Sequence, residues 1–456
     1  MNKNQFEIHS NKKNHTLTAE QLVFYKQSKV LEATDDSGNY YYLIFYKNDF
    51  INGMKRNQIK INSHIHHAFT NGIHFNGTHP LTIKLLKSQK SFHFISFNQL
   101  YKNIQKSYPK IETSLIISYF DSFTKPGSVE KLFKNTFYDY RRNGQNMTAY
   151  QLLKTISNSG RENNFVQDML NDLQLQQYKA IYSDMKKVYE KDPINFESAA
   201  FDDLFHEESV DLLIQLYQEQ NRFLDELAVR TALLNDKFSQ KNLAAILSIL
   251  NGFPVEEQIS YLQALKQTNS VKEKLMNLMM DSGNANDMVR FLMTTKFMPQ
   301  DAQIETIIKN FEHADSGVLT SHFDHSSKRL LQLCNNDRHT LERMVKPFVS
   351  AFLEDYKLSK IIAWLQAFHD AGYNLPIERK LLKMKAMMED PDQQFALGEL
   401  YIQFRQFEKS IDCFKWEMEL HPEDQKPVTY LSKVYLELGD KEEAAAYQQL
   451  LIQMNK

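Results

Sequence analysis

The spacing of apolar residues changes near residue 111 of this chain. Before that point, β-branched and aromatic residues come in short runs, and turn signals at 35–39, 48–53, 70–72 and 76–80 separate them. These runs predict a small, mainly β domain of about five strands over 1–111, with 40–46 as a buried strand. The runs are LVFYKQ, YYYLIFY, IKINSHIH, LTIKLL and SFHFISF.

From residue 112 onward, apolar residues recur every three or four positions, which is typical of amphipathic helices. The segment 114–123 is predicted as one helix, and Lys125-Pro126-Gly127 ends it. Helix pairs with short breaks continue through the rest of the chain. We therefore expect a mostly α protein, with a helical domain over 112–456 after the β-rich one.

A repeat appears in the last part of this helical region. Leu397, Tyr401 and Ser410 are each followed thirty-four residues later by an equivalent residue, Leu431, Tyr435 and Ala444. A period of this length is typical of helix–turn–helix pairs that stack into a solenoid. Solenoids usually bind other molecules rather than catalyse reactions.

The repeat resembles the tetratricopeptide repeat (TPR) family. Clear copies cover 391–424, 425–456 and 130–158, and degenerate copies are expected over 160–390. The resemblance implies a right-handed superhelical solenoid, with small residues at close helix contacts and Gly between the helices. Arg405 departs from this pattern, since the family has Gly there. The matching residues are Leu397, Gly398, Tyr401, Phe414 and Pro422, then Val428, Leu431, Ser432, Tyr435, Gly439 and Ala444, and upstream Phe133, Tyr140, Gly144, Ala149 and Leu153.

The resemblance also implies groove residues. In the copy at 130–158, the positions that line the family's concave groove are Lys131, Lys134, Tyr138, Arg141 and Arg142. Four cations and one phenol suit an acidic peptide or a chain-terminal carboxylate. A solvated basic face is the alternative. Chaperone-tail binding is not predicted, because Tyr138 replaces the Asn of the family's carboxylate clamp.

The net charge of −2 hides an uneven distribution. Of 54 Lys and Arg and 56 Asp and Glu, residues 1–150 hold 20 and 10, which leaves 34 and 46 for the remainder. Basic and aromatic residues alternate over 50–111, where no acid occurs, so single-stranded nucleic acid binding is an alternative function. The competing interpretation is that the aromatics form a core and the cations balance the acidic helices. The residues are Lys55, Arg56, Lys60, Lys84, Lys87, Lys90, Lys102, Lys106 and Lys110, with Phe69, Phe75, Phe92, Phe94, Phe97 and Tyr101.

Five histidines form a second candidate. On a strand, His64 and His66 would face the same way and could bind a transition metal, which gives a metal-dependent enzyme as a further alternative. A polar strand face is the competing interpretation, and no Asp, Glu or Cys lies in 50–111 to complete a site. The histidines are His64, His66, His67, His74 and His79.

The sequence lacks the common catalytic motifs and has few cysteines, which favours a non-catalytic protein. No nucleophile elbow, phosphate loop, zinc-protease or dinucleotide motif is present. Cys334 and Cys413 are too few for a disulfide framework, and no secretion or membrane segment is found, so a cytoplasmic location is expected. We expect a non-catalytic protein-interaction scaffold without cofactor, metal or membrane, whose partner is a protein or peptide.

A methionine-rich stretch is interpreted as core rather than binding surface. Its residues are Met276, Met279, Met280, Met288, Met293 and Met298.

Overall fold

The computed structural model of the protein describes residues 4–10, 13–89, 91–158 and 164–454. The chain forms two compact units, Met1–Gln267 and Thr268–Lys456. The predicted domain boundary at 111/112 lies inside the first unit. There, strands and the helices that follow them share one hydrophobic core.

A single sheet forms the N-terminal part of the first unit. Within the described residues it has seven strands in the order β5-β4-β3-β2-β1-β7, and β6 pairs with β2. The side chain of Asn52 in β5 makes two hydrogen bonds with the backbone of Ile95, just after β7. Asn52 Nδ2 donates to the Ile95 carbonyl at 2.9 Å, and the Ile95 N–H donates to Asn52 Oδ1 at 3.0 Å. The sheet is therefore a near-closed barrel. The strands are β1 (Gln5–Ser10), β2 (Lys13–Tyr25), β3 (Ser28–Thr34), β4 (Tyr40–Tyr46), β5 (Asp49–Lys55), β6 (Ile73–Asn76) and β7 (Phe92–His93).

The rest of the described chain is mostly helical. In the first unit the α-helices are α1 (His64–Asn71), α2 (Pro80–Ser88), α3 (Phe97–Ser107), α4 (Lys110–Ser118), α5 (Ser128–Arg142), α6 (Asn146–Ser157), α7 (Asn164–Leu170), α8 (Leu173–Gln176), α9 (Met185–Lys191), α10 (Pro193–Asp202), α11 (Glu207–Glu219), α12 (Phe223–Asp236), α13 (Gln240–Leu250) and α14 (Val255–Ala264). In the second unit they are α15 (Asn269–Ser282), α16 (Ala285–Thr294), α17 (Asp301–His313), α18 (Ser316–Thr320), α19 (Phe323–Leu333), α20 (Arg338–Asp355), α21 (Leu358–Asp370), α22 (Pro376–Met387), α23 (Gln394–Gln403), α24 (Phe407–Leu420), α25 (Gln425–Glu437) and α26 (Lys441–Met454).

The buried strand predicted at 40–46 is confirmed as β4. Its apolar run is continuous because both of its faces are covered. Tyr42, Ile44 and Tyr46 pack in the core that α3 and α4 complete. On the other face, the ring of Phe45 packs against that of Phe92 of β7, with the ring centroids 6.1 Å apart. Such double coverage gives an unbroken apolar strand instead of an alternating one.

Two predicted strands, IKINSHIH and LTIKLL, are wrong. The first ends in α1, which begins after Ser63, whose hydroxyl accepts from the His66 N–H at 3.3 Å. The second lies in α2, where His79 is the N-cap and Pro80 takes the first helical turn. Short apolar runs fit a strand or a helix equally well, and these caps decide between the two.

Two further boundaries differ from the prediction. SFHFISF contains only the two-residue strand β7, and its last residue, Phe97, already begins α3. The hydroxyl of Ser96 caps that helix by accepting from the Gln99 N–H. The single helix predicted over 114–123 is α4 followed by a separate 3-10 turn, Asp121–Phe123.

A buried ion-pair network joins the barrel to α10 and α12. Lys29 of β3 lies 2.7 Å from Asp225, and both side chains are at most 2% exposed. Arg222 makes a bidentate contact with Glu197 at 2.7 and 2.8 Å and also reaches Asp225 at 3.0 Å. Burial alone would raise the pKa of Asp225, but Arg222 and Lys29 outweigh it and hold that pKa below its ordinary value. The two cations and two anions neutralise one another inside the first unit.

The β2–β3 turn adds further contacts to α10. The Gln27 side-chain amide donates to the Ile194 carbonyl at 2.7 Å and to the Ser198 hydroxyl at 3.1 Å. The Lys26 ammonium donates to Asp202 at 2.9 Å. The turn of this hairpin therefore contacts α10, and Lys29 of the ion-pair network follows two residues after Gln27.

Helix pairs occur where the repeat predicts them, as α5/α6, α23/α24 and α25/α26. Gly398 lies at a close contact, since a Cβ there would be 2.8 Å from the Phe414 ring. The turns inside the pairs have a left-handed residue, with φ of +72° at Gly144, +83° at Gly439 and +57° at Arg405. The position where Arg405 departs from the family pattern thus still has the backbone that favours Gly.

The methionine-rich helices of the second unit contribute to its core. Met276, Met279 and Met288 are fully buried, whereas Met298 is 53% exposed. Cys334 and Cys413 are buried free thiols. Among the described segments, no helix combines the length and the apolar character that crossing a membrane requires.

Candidate functional site

All five predicted groove residues lie on α5. This helix begins after Gly127, whose φ is +78°, and it ends before Gly144. Lys131, Lys134 and Tyr138 follow one another at three and four residues, so they lie along one stripe of the helix. Both lysines are exposed, and Tyr138 is 47% exposed.

Phe165 of α7 lies beside this stripe and was not predicted from the sequence. Its ring centroid lies 5.9 Å from that of Tyr138 and 5.0 Å from the Lys134 ammonium. The second contact is a cation–π interaction. Phe165 falls in the degenerate part of the repeat, where the pattern does not assign groove positions. We call Lys131, Lys134, Tyr138 and Phe165 the α5 surface.

The two arginines of α5 differ in their roles. The Arg141 guanidinium donates to Asn146 at 3.1 Å, to Asp172 at 3.2 Å and to Gln174 at 2.9 Å, so it ties α5 to the segment that follows α7. Arg142 is exposed and pairs within its own helix, with Asp139 at 3.0 Å. Among the described residues, Lys131 and Lys134 have no carboxylate within ion-pair distance. The unpaired positive charge of α5 is therefore concentrated on these two lysines.

Part of the basic stretch 50–111 is neutralised within the first unit. Lys84 and Lys87 of α2 lie 2.8 and 3.1 Å from the carboxylate of Glu257 in α14. Lys60 donates to two backbone carbonyls near the end of α4. Lys90 lies outside the described residues. The pairs with Glu257 agree with the interpretation that these cations balance acidic helices.

The aromatic residues of the same stretch are core side chains. Phe75 and Phe92 are at most 7% exposed. Phe69, Phe97 and Tyr101 are partly buried against the same hydrophobic cluster, and Phe94 covers Gly53. All six rings are buried or partly buried. They give no open stacking surface for bases.

The histidine cluster is dispersed. His64 and His66 lie on α1, so the prediction that they share a strand face is wrong, because residues two apart on a helix point in different directions. His79 caps α2 by accepting the Leu81 N–H at 3.1 Å, and burial lowers the pKa of His79 to about 4. Across the described ranges, no three His, Cys, Asp or Glu side chains are grouped closely enough to hold a metal ion.

A buried serine–histidine pair lies at the start of α1. The Ser28 hydroxyl is 2.8 Å from His64 Nε2, and the imidazole stacks on Tyr119 with centroids 4.0 Å apart. These are residue types that nucleophilic catalysis uses. Ser28, however, is completely buried and its hydroxyl also donates to the Tyr25 carbonyl. The pair therefore anchors α1 in the core.

Together these features define a mostly helical protein with paired helices, an N-terminal near-closed β-barrel and an exposed cationic, aromatic stripe on α5. No family model and no curated protein sequence matches the chain.

Proposed function

We propose that this protein is a non-catalytic interaction scaffold whose helix pairs form a TPR-like, right-handed solenoid. The support comes from positions that the repeat pattern defines. Gly398 lies at a close helix contact, as the pattern requires. The turn residues have the positive φ that the pattern requires: Gly144, Arg405 and Gly439. We place the protein in the cytoplasm, because a reducing compartment maintains buried free thiols such as Cys334 and Cys413.

The proposed ligand is an acidic peptide that carries an aromatic residue, and it docks on the α5 surface. The observation that carries this proposal is a half-exposed tyrosine on one helical stripe with two exposed lysines, neither of which has a carboxylate partner among the described residues. Carboxylates of the peptide would pair with Lys131 and Lys134. Its aromatic ring would pack on Tyr138 and Phe165.

The surface is ordered before the ligand arrives. Phe165 already contacts Tyr138 and Lys134. Arg141 links α5 to α6 through one hydrogen bond and to the segment after α7 through two. Side chains held in place lose little further freedom when a peptide binds, which leaves more of the contact energy for affinity. The charge pairs are near water, so binding should weaken as salt increases.

The test measures binding of a fluorescein-labelled peptide of Glu, Asp and Phe to the full chain by fluorescence anisotropy. Each exposed charge pair contributes about 0.2–1 kcal/mol, and a reversal adds repulsion to the loss of attraction, so Lys131→Glu with Lys134→Glu should weaken binding about tenfold or more. Tyr138→Ala should weaken it as well, because it removes an aromatic contact.

The control makes the same charge change elsewhere. Lys102→Glu with Lys106→Glu reverses two exposed lysines on α3 and should leave peptide binding nearly unchanged. A peptide with Lys in place of Glu and Asp should not bind. Equal losses in both double variants would mean that only the overall charge matters, and the proposed surface would then be wrong.

A further inference from the structure

Two exposed histidines lie side by side on the barrel, away from the histidines at 64–79. His9 of β1 is the register partner of His93 of β7, and these two strands run parallel. The ring centroids are 5.3 Å apart, with the planes at 62°. Directly paired residues of neighbouring strands project from the same face of a sheet, so both imidazoles reach the same patch of solvent.

Hydrogen bonds at the rim hold one nitrogen of each ring. His9 Nδ1 is 2.8 Å from Asn14 Oδ1, and an amide oxygen can only accept. His9 therefore donates this bond through Nδ1, and its Nε2 has no hydrogen-bond partner among the described residues. His93 Nε2 is 2.9 Å from the Ser91 hydroxyl, which can accept a hydrogen bond from it; Nδ1 of His93 then has no hydrogen-bond partner among the described residues. Metal-binding imidazoles are oriented in the same way, by donating their second N–H to a neighbouring acceptor.

We propose that His9 and His93 form a binding site for a divalent late transition metal such as Cu²⁺, Ni²⁺ or Zn²⁺. The metal bridges Nε2 of His9 and Nδ1 of His93, and water fills the other positions. A cleft of about 310 Å³ that includes Glu7 and Asn14 gives room for this water. Imidazole ligands favour these metals, and Cu²⁺ binds most tightly in the general order of affinities.

Two protein ligands make this an exchangeable site rather than a permanent structural one, since closed structural sites use four. Its effect on the fold is nevertheless direct. β7 has only two residues, and the Phe94 N–H donates to the His9 carbonyl at 2.9 Å. A metal shared by His9 and His93 adds a further link between β1 and β7, and β7 is the strand whose other edge faces β5 across the gap in the barrel.

The experiment titrates Cu²⁺ into the full-length protein, with calorimetry for affinity and electron paramagnetic resonance for the number of nitrogen ligands. We expect one ion per chain at this site, with two nitrogens. His9→Ala or His93→Ala leaves a single imidazole and should weaken binding by about 10²-fold or more, because the chelate is lost. Asn14→Ala removes the acceptor that orients His9 and should weaken binding about 10–100-fold.

His339→Ala is the matched control, since His339 is an exposed histidine of the second unit and should not affect this binding. Hydrogen exchange at 92–95 provides a second measurement: Cu²⁺ should slow it in the unmodified protein and not in His93→Ala. If a histidine variant is poorly folded by circular dichroism, Asn14→Ala decides. Unchanged Cu²⁺ affinity in Asn14→Ala, or in a folded variant that lacks both His9 and His93, would overturn the proposal.

Discussion

Replacing Lys29 by Met should loosen the attachment of the barrel to the helices of the first unit. Met keeps most of the volume of the side chain but removes its charge. Asp225 would remain buried, at 2% side-chain exposure, with Arg222 at 3.0 Å as its remaining cation. The network would then hold one cation against two anions in a site closed to water.

The expected cost follows from burial. Removing one partner of a buried ion pair typically costs about 3–5 kcal/mol, because the other charge is left without compensation. We expect the lower end, about 3 kcal/mol, since Arg222 still contacts Asp225. The control is Lys26→Met: the Lys26 side chain is 9% exposed, but its partner Asp202 is 54% exposed and keeps its contact with water when the ammonium is removed. We therefore expect a cost of about 0–1 kcal/mol, as for pairs near the surface.

Urea unfolding followed by circular dichroism gives the overall stability, and hydrogen exchange shows where it changes. Lys29→Met should speed exchange in β3 and α12 well beyond the effect of Lys26→Met. Adding Asp225→Asn should restore part of the loss, because it removes the uncompensated anion. Equal effects of Lys29→Met and Lys26→Met, or no recovery in the double variant, would refute the view that this network holds the unit together.

Three further changes test other parts of the fold. Arg405→Gly should raise the urea midpoint by the equivalent of about 0.5–1 kcal/mol, because Gly adopts a φ of +57° without strain; a lower midpoint would contradict this. Gly398→Trp should cost about 1–3 kcal/mol, since even a Cβ would meet the Phe414 ring at 2.8 Å; an unchanged midpoint would mean that the contact is absent. Burial lowers the pKa of His79 to about 4, so its contribution to stability is complete above the unfolded pKa of about 6.5 and is lost as the pH falls from there towards 4. His79→Asn can still accept the Leu81 N–H as a helix cap, and it should flatten this part of the stability–pH profile in thermal melts; an identical profile would assign the pH dependence to other groups.

The helix pairs and the buried strand could be predicted because their signals are local. The positions of Gly144, Gly439 and Gly398 depend on backbone angles and contacts within one helix pair, which the repeat records directly. The candidate site was predicted only in part. The five α5 residues could be read from one repeat, whereas Phe165 comes from a neighbouring helix whose sequence no longer follows the pattern.

The errors have the same physical origin. A strand and a short helix bury apolar residues equally well over seven or eight positions, and the caps at Ser63 and His79 settled the choice at α1 and α2. The alternative metal site at His64 and His66 depended on a strand at these residues, which form a helix instead.

The sequence by itself determined the helical repeats, the buried strand at 40–46 and the uneven distribution of charge, because each depends on neighbours along the chain. Only the tertiary structure decided how that charge is used. Lys29 is buried against Asp225, Lys84 pairs with Glu257, and His9 meets His93. Each of these contacts joins segments that are far apart in sequence, and only packing of the barrel and helices brings them within a few ångströms of each other.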